Sequence, residues 1–203
     1  MDWNELFRIT NMVLQEIKEN FPWKVVEVAE CEADDIIGEM VRYTQEFGQY
    51  ENIMIISGDK DFAQLQKFDN VAQYSPVQKK FIKEDNPRLQ IWNLVLKGDT
   101  SDGVPNVLSA DNCFVDEIRQ TPLRQNKIDQ LIEDPKSLGE EVYRNYLRNK
   151  NLIDLDYTPA DIKKTIVERY DSYVVPKQNV LNYLMEKRCR MLIESVTEFV
   201  SWS

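Results

Sequence analysis

The 203 residues, 42% hydrophobic and 30% charged, are enough for one well-buried domain, or one with a small appendage. The absence of histidine excludes His-ligated metals, histidine general bases and Ser-His-Asp chemistry. No apolar run reaches the ~20 residues of a membrane-spanning helix, and MDWNELFRIT lacks the basic and apolar regions of a secretory signal, so a cytoplasmic protein with no membrane partner is expected.

In chain order, Trp3, Leu6, Phe7, Val13, Leu14, Ile17 and Phe21 recur at helical spacing and predict an amphipathic helix over 3–20, ended near Pro22. KVVEVAE (24–30) is a β-branched run and predicts a strand. A helix is expected from about Glu32 to Phe47, with Gly48 as its C-cap. NIMIIS (52–57) is a continuous apolar run of the kind buried in a parallel sheet. Strand, helix and strand together predict a βαβ unit with a right-handed crossover.

A short helix (61–66), a strand (71–75) and an edge strand (79–83) are expected next, then a helix over 86–98 opened by Pro87. Four to six further helices follow, punctuated by prolines at 122, 135, 159 and 176. The fold class is therefore α/β: a partial parallel sheet flanked by helices, then an all-α region. The expected boundary lies near residue 85, with 86–203 forming a helical domain that includes a helix-turn-helix-like DNA-binding region. Cys31, Cys113 and Cys189 are widely spaced and outside any CxxC pattern, as reduced thiols would be.

A net charge of −10 is unusual for a nucleic-acid binder. The acidity is local, however. Residues 1–78 carry 15 acidic and 6 basic side chains, whereas 79–150 carry 12 of each. Three acidic motifs stand out: Glu32-Ala33-Asp34-Asp35, Gly58-Asp59-Lys60-Asp61 and Gly98-Asp99-Thr100-Ser101-Asp102-Gly103. The first two follow the strands expected at 24–30 and 52–57, where ligands bind in open α/β sheets. Adjacent strands would gather Glu32, Asp34, Asp59 and Asp61 in one crevice. Crowded carboxylates need cations to offset their repulsion, and an all-oxygen shell suits Mg²⁺ or Mn²⁺. Taken singly, each motif has an ordinary explanation: an acidic first helical turn, an Asp/Gly turn, or a loop of turn residues.

In this order, EADD, ISGDKDFAQL and LKGDTSDGVPNV resemble the ordered signature of the flap endonuclease and 5′→3′ exonuclease family, in its phage-type branch. Further similarity runs through YSPVQKKF (74–81), NLIDLDYTP (151–159) and the tail from Asp171. The resemblance implies a PIN-like 5′-nuclease that hydrolyses phosphodiesters near a 5′ end, in flaps, nicked duplexes or RNA–DNA hybrids, during phage replication in the infected cell. Glu32, Asp34 and Asp59 would lie at a first metal, with Asp35 as ligand or supporting partner. Asp61, Asp99 and Asp102 would belong to a second. The implied cofactors are two Mg²⁺ ions, roughly 4 Å apart, for which Mn²⁺ can substitute.

The pattern departs from the family in two places. Family members begin with a strand bearing an Asp, a second Asp and a helical arch, none of which precedes EADD here. A complementing N-terminal chain or replication partner is therefore expected, and the alternative is a non-catalytic fragment that keeps DNA or partner binding. VPNVLSADNCF (104–114) also lacks the family's glycine-rich hairpin, so its K⁺ site is not carried over. Duplex contact is assigned instead to Lys79, Lys80, Lys83, Arg119, Arg124 and Lys127. A PIN-like ribonuclease also gathers Asp residues at strand ends, but it would lack GDTSDGVP and the long helical region.

Overall fold

The computed structural model describes residues 2–46, 51–176 and 179–200. Its packing divides into two units, one of residues 28–167 and one of 1–27 with 168–203. The helix that follows residue 85 packs on the turn that precedes it, within the unit of 28–167.

In the unit of 28–167, α2 (Ala33–Glu46) is followed by β1 (Ile53–Ile56), a 3₁₀ turn (Asp61–Lys67), β2 (Val71–Ser75) and β3 (Lys80–Ile82). The sheet order is β1-β2-β3; β1 and β2 run parallel, and β3 closes an antiparallel edge. The sheet, the turn and the helices at 33–46 and 87–97 appear where sequence patterning predicts them. The end of α2 expected at Phe47 and its cap at Gly48 fall outside the described residues.

The strand expected over 24–30 does not form. Its charges recur every three residues at Lys24, Glu27 and Glu30, so neither face of a strand would be free of charge. The βαβ unit through α2 is consequently absent, and the parallel pair is instead joined through the 3₁₀ turn. β1 is correspondingly an edge strand. Met54 and Ile56 are 56% and 68% exposed, which corrects the expectation of a fully buried run.

Two clusters form the core of this unit. Val41, Ile55, Phe62, Leu65 and Val71 pack between the sheet, α2 and the 3₁₀ turn. Val95, Leu96, Val107, Ile128, Leu131 and Tyr146 join α3 (Pro87–Lys97), α4 (Gln125–Glu133) and α5 (Glu140–Ile153). The irregular segment between α3 and α4 is held by buried amides rather than by its own ladder. Asn149 Nδ2 donates to Val95 O and Pro105 O, both at 2.8 Å, and Asn145 Nδ2 donates to Val107 O at 3.0 Å. Burying these amides is tolerable because each meets partners.

In the other unit, Asp2 caps α1 (Trp3–Asn20) by accepting from the Asn4 and Glu5 amides. Phe21, Val180 and Leu184 form its core with α7 (Val180–Glu186). Tyr183 Oη donates to Glu16 Oε2 at 2.8 Å. α6 (Ala160–Ser172) spans the division, and α8 (Arg190–Ile193) and α9 (Val196–Val200) follow. No described helix is long and apolar enough to cross a membrane.

Candidate metal centre

The three motifs meet. Glu32, Asp34, Asp35, Asp59, Asp61 and Asp102 line one open cleft of ≈ 600 Å³, walled on the far side by Asn151, Ile153, Leu155 and Thr158. Glu32 and Asp34 arrive at the N-terminus of α2, as the helix expected from about Glu32 implies, but without the strand expected before it. That placement still suits an acidic group, since the helix dipole favours negative charge there.

Each motif is fixed by identifiable hydrogen bonds. Asp35, at the third position of α2, accepts from the Glu32 amide through Oδ2 at 3.2 Å, the return half of a capping box. Its Oδ1 accepts from Thr158 Oγ1 at 2.7 Å. Both Asp35 oxygens are thereby engaged, which suits the supporting role better than the ligand role.

The loop after β1 is an Asx-type turn. The Asp59 amide donates to Ser57 Oγ at 3.1 Å, and the Asp61 amide to Asp59 Oδ1 at 3.0 Å. Beneath it the buried Gln73 donates from Nε2 to Ser57 O at 3.0 Å and Asp59 O at 2.6 Å. Gln73→Leu keeps the shape of the side chain but leaves those carbonyls unpaired. The expected cost is on the order of 2 kcal/mol in urea unfolding; unchanged stability would show that the loop is held by something else.

The loop at 99–104 is pinched by reciprocal bonds, Asp99 N to Val104 O at 2.8 Å and Val104 N to Asp99 O at 2.7 Å. The wall is tied to the sheet side by the buried Gln64. Its Nε2 donates to Ile153 O at 3.1 Å, and its Oε1 accepts from the Leu155 amide at 3.0 Å.

One ligand oxygen each from Asp61, Asp99 and Asp102 lies within 4.8 Å of the other two. Asp61 Oδ1 is buried without a hydrogen-bond partner. Burial first, and then the neighbouring Asp59, push the Asp61 carboxyl up to about 6. Burial and the charges of Asp59, Glu32, Asp35 and Asp102 also raise Asp34, and burial with Asp99 raises Asp102. Asp99 goes the other way. Burial opposes its ionisation, but Lys60 and the two Ser101 donors outweigh that and hold it down to about 2. Asp34, Asp61 and Asp102 each feel carboxylates from another motif, so the three motifs form one electrostatic cluster. An orphaned buried oxygen, hard all-oxygen donors and mutual repulsion are the features a divalent cation would satisfy.

The structure adds Lys60, Gln73 and Thr158 to the site. Lys60 lay within GDKD as an unassigned charge, whereas Gln73 and Thr158 left no signal in isolation because their roles depend on contacts distant in sequence. The six basic candidates do not line the cleft. Lys79, Lys80 and Lys83 are exposed along the β2–β3 hairpin, with Lys79 at φ 53°. Lys83 lies 3.6 Å from the equally exposed Asp85. Arg119 and Arg124 are exposed before α4, and Lys127 is half-buried in its first turn.

A resolvase-like sheet with carboxylates at one cleft, followed by a helical region, defines a class. Residues 3–90 match the family described as 5′-3′ exonuclease, N-terminal resolvase-like domain, and residues 85–199 match that described as T4 RNase H, C terminal. The chain belongs to this 5′-3′ exonuclease family, in its T4 RNase H branch. It is 33% identical over 208 residues to Ribonuclease H of Enterobacteria phage T4, covering 98% of this chain and 68% of that protein. The fold is shared with the T5 D15 protein, crystallised with metal ions, at a TM-score of 0.51 and 15% identity, over 98% of this chain and 71% of that one.

Proposed function

We propose that this chain is a Mg²⁺-dependent 5′-nuclease that hydrolyses phosphodiester bonds of DNA or RNA–DNA duplexes with a 5′ end or flap, during phage replication in the cytoplasm of the infected cell. One observation carries the proposal: Asp61 and Asp102, in the cleft that also holds Glu32, Asp34 and Asp59, converge with Asp99, and Asp61 Oδ1 is buried and unpartnered. Asp61, Asp99 and Asp102 would hold one cation, and Glu32, Asp34 and Asp59 another, with Asp35 orienting Glu32. Such ions, when bound, polarise a phosphodiester and stabilise the charge that develops on it.

The chain's own residues supply the frame. Gln73 and Ser57 aim Asp59, the pinched 99–104 loop aims Asp99 and Asp102, and Thr158 holds Asp35 at the foot of α2. Lys79, Lys80, Lys83, Arg119, Arg124 and Lys127 are proposed to contact phosphates of the duplex, the last three beside the helical pair α4–α5, the candidate for a helix-turn-helix-like element. A complementing N-terminal chain or a replication protein is the proposed further partner.

Incubation with 5′-labelled flap, nicked and RNA–DNA hybrid duplexes tests this. Cleavage is expected in Mg²⁺ and should be abolished by EDTA or by Asp59→Asn. Cleavage that persists in EDTA would overturn the metal reading. Duplex binding without cleavage in any ion would leave a binding fragment in place of a nuclease.

A further inference from the structure

The GDKD motif delivers a cation into its own acidic cluster. Lys60 Nζ lies 2.6 Å from Asp99 Oδ2. The Asp99 carboxylate is 5% exposed and the lysine side chain 53%, so the ammonium reaches inward from the solvent side. The backbone of Lys60 is held separately: its carbonyl accepts from Gln90 Nε2 of α3 at 3.1 Å and from the Ala63 amide at 3.2 Å. Side-chain movement therefore does not require the motif to move.

Asp99 has little room for a second cation. Its Oδ1 already accepts from both the amide and the hydroxyl of Ser101. Oδ2 is then the oxygen with a lone pair to spare, and Lys60 sits on it. A divalent ion drawn to Asp61, Asp99 and Asp102 must take that same oxygen. An ammonium at contact distance from such an ion would repel it.

We infer that Lys60 is the internal counter-ion of this cluster: it holds Asp99 when no divalent ion is bound and is displaced from Asp99 Oδ2 when one binds. The inference rests on the divalent-ion reading above. It explains how three converging carboxylates stay together without metal, and it sets a threshold that a cation must exceed to enter.

Calorimetric titration of the intact chain with Mn²⁺ at neutral pH, using the wild type, Lys60→Met and Lys60→Arg, tests it. Lys60→Met is expected to bind Mn²⁺ on the order of tenfold more tightly, through loss of the competing charge. The gain should shrink as salt rises. Lys60→Arg, which keeps the charge, should bind like the wild type. Without metal Lys60→Met should melt below the wild type, and at saturating Mn²⁺ the order should reverse. Should Lys60→Met fail to fold by circular dichroism, Lys60→Gln is read by the same criteria. Unchanged or weaker Mn²⁺ binding in the charge-removed variant would overturn the counter-ion role while leaving the metal centre standing. A wild type showing no Mn²⁺ binding that Asp61→Asn removes would overturn both.

Discussion

Asp61→Asn is expected to make the metal-free protein more stable while weakening its response to divalent cations. The Asp61 carboxyl is raised from its ordinary 3.8 to about 6, chiefly by burial. A group whose folded-state pKa is raised in this way binds its proton more tightly in the native chain. Stability therefore falls as pH climbs from about 4 to about 6, and the penalty is complete above that window. Asparagine carries no such penalty. Because the carboxyl is partly solvated, the gain at neutral pH is discounted to about 1 kcal/mol. For a chain of this size that is roughly 2–4 °C in Tm.

Divalent cations should act in the opposite sense. In the wild type, Mn²⁺ well above its Kd should add on the order of 2–3 kcal/mol by mass action. Asp61→Asn should lose the part of this that comes from the site of Asp61, Asp99 and Asp102. Proton and cation compete for the same oxygens, so wild-type Mn²⁺ affinity should drop about tenfold for each pH unit below about 6. Thermal melts in EDTA and in Mn²⁺, across that pH range, read all three effects. A variant less stable than the wild type in EDTA would mean that Asp61 has a partner other than a metal.

Gly98→Ala should be the most damaging single change at the site. Gly98 has φ +70°, and a Cβ there would stand 2.3 Å from Val104 O and 2.6 Å from Pro105 C and O. Those are backbone atoms of the pinched loop and cannot retreat without breaking the Asp99–Val104 pair of hydrogen bonds. The expected loss is roughly 3 kcal/mol or more, combining left-handed strain with a steric clash. Any folded fraction should also have lost the convergence of Asp99 and Asp102, and with it Mn²⁺ binding at their site. Gly103 is the internal control, since its φ is +72° but nothing lies within 4 Å of an added Cβ. Gly103→Ala should therefore cost only about 1–2 kcal/mol, the conformational term alone. Equal costs at the two glycines would show that backbone strain alone, rather than the packed loop, decides the outcome.

Much of this site could be read from spacing. Two Asp residues flanking a lysine directly after an apolar strand, and a Gly-Asp-x-x-Asp loop after a proline-opened helix, mark carboxylates at element ends. The ends of elements are where side chains escape the packing of the interior. The strand expected at 24–30 does not form for an equally local reason: β-branched residues favour a strand, but whether one forms depends on a partner edge and an uncharged face. The roles of Gln64, Gln73 and Thr158 were illegible because a buried amide or hydroxyl looks like any other polar residue until its distant acceptor is known.

The amino-acid order alone determined the acidic triplet of motifs, the helices and most of the sheet, because periodicity, turn chemistry and charge crowding act over a few residues. Only the tertiary structure decided that no strand precedes Glu32 and Asp34, that both Asp35 oxygens meet donors and that Lys60 already sits on Asp99. Those facts turn on which oxygen meets which donor across tens of residues, a question that burial and hydrogen-bond satisfaction answer only once the chain has folded.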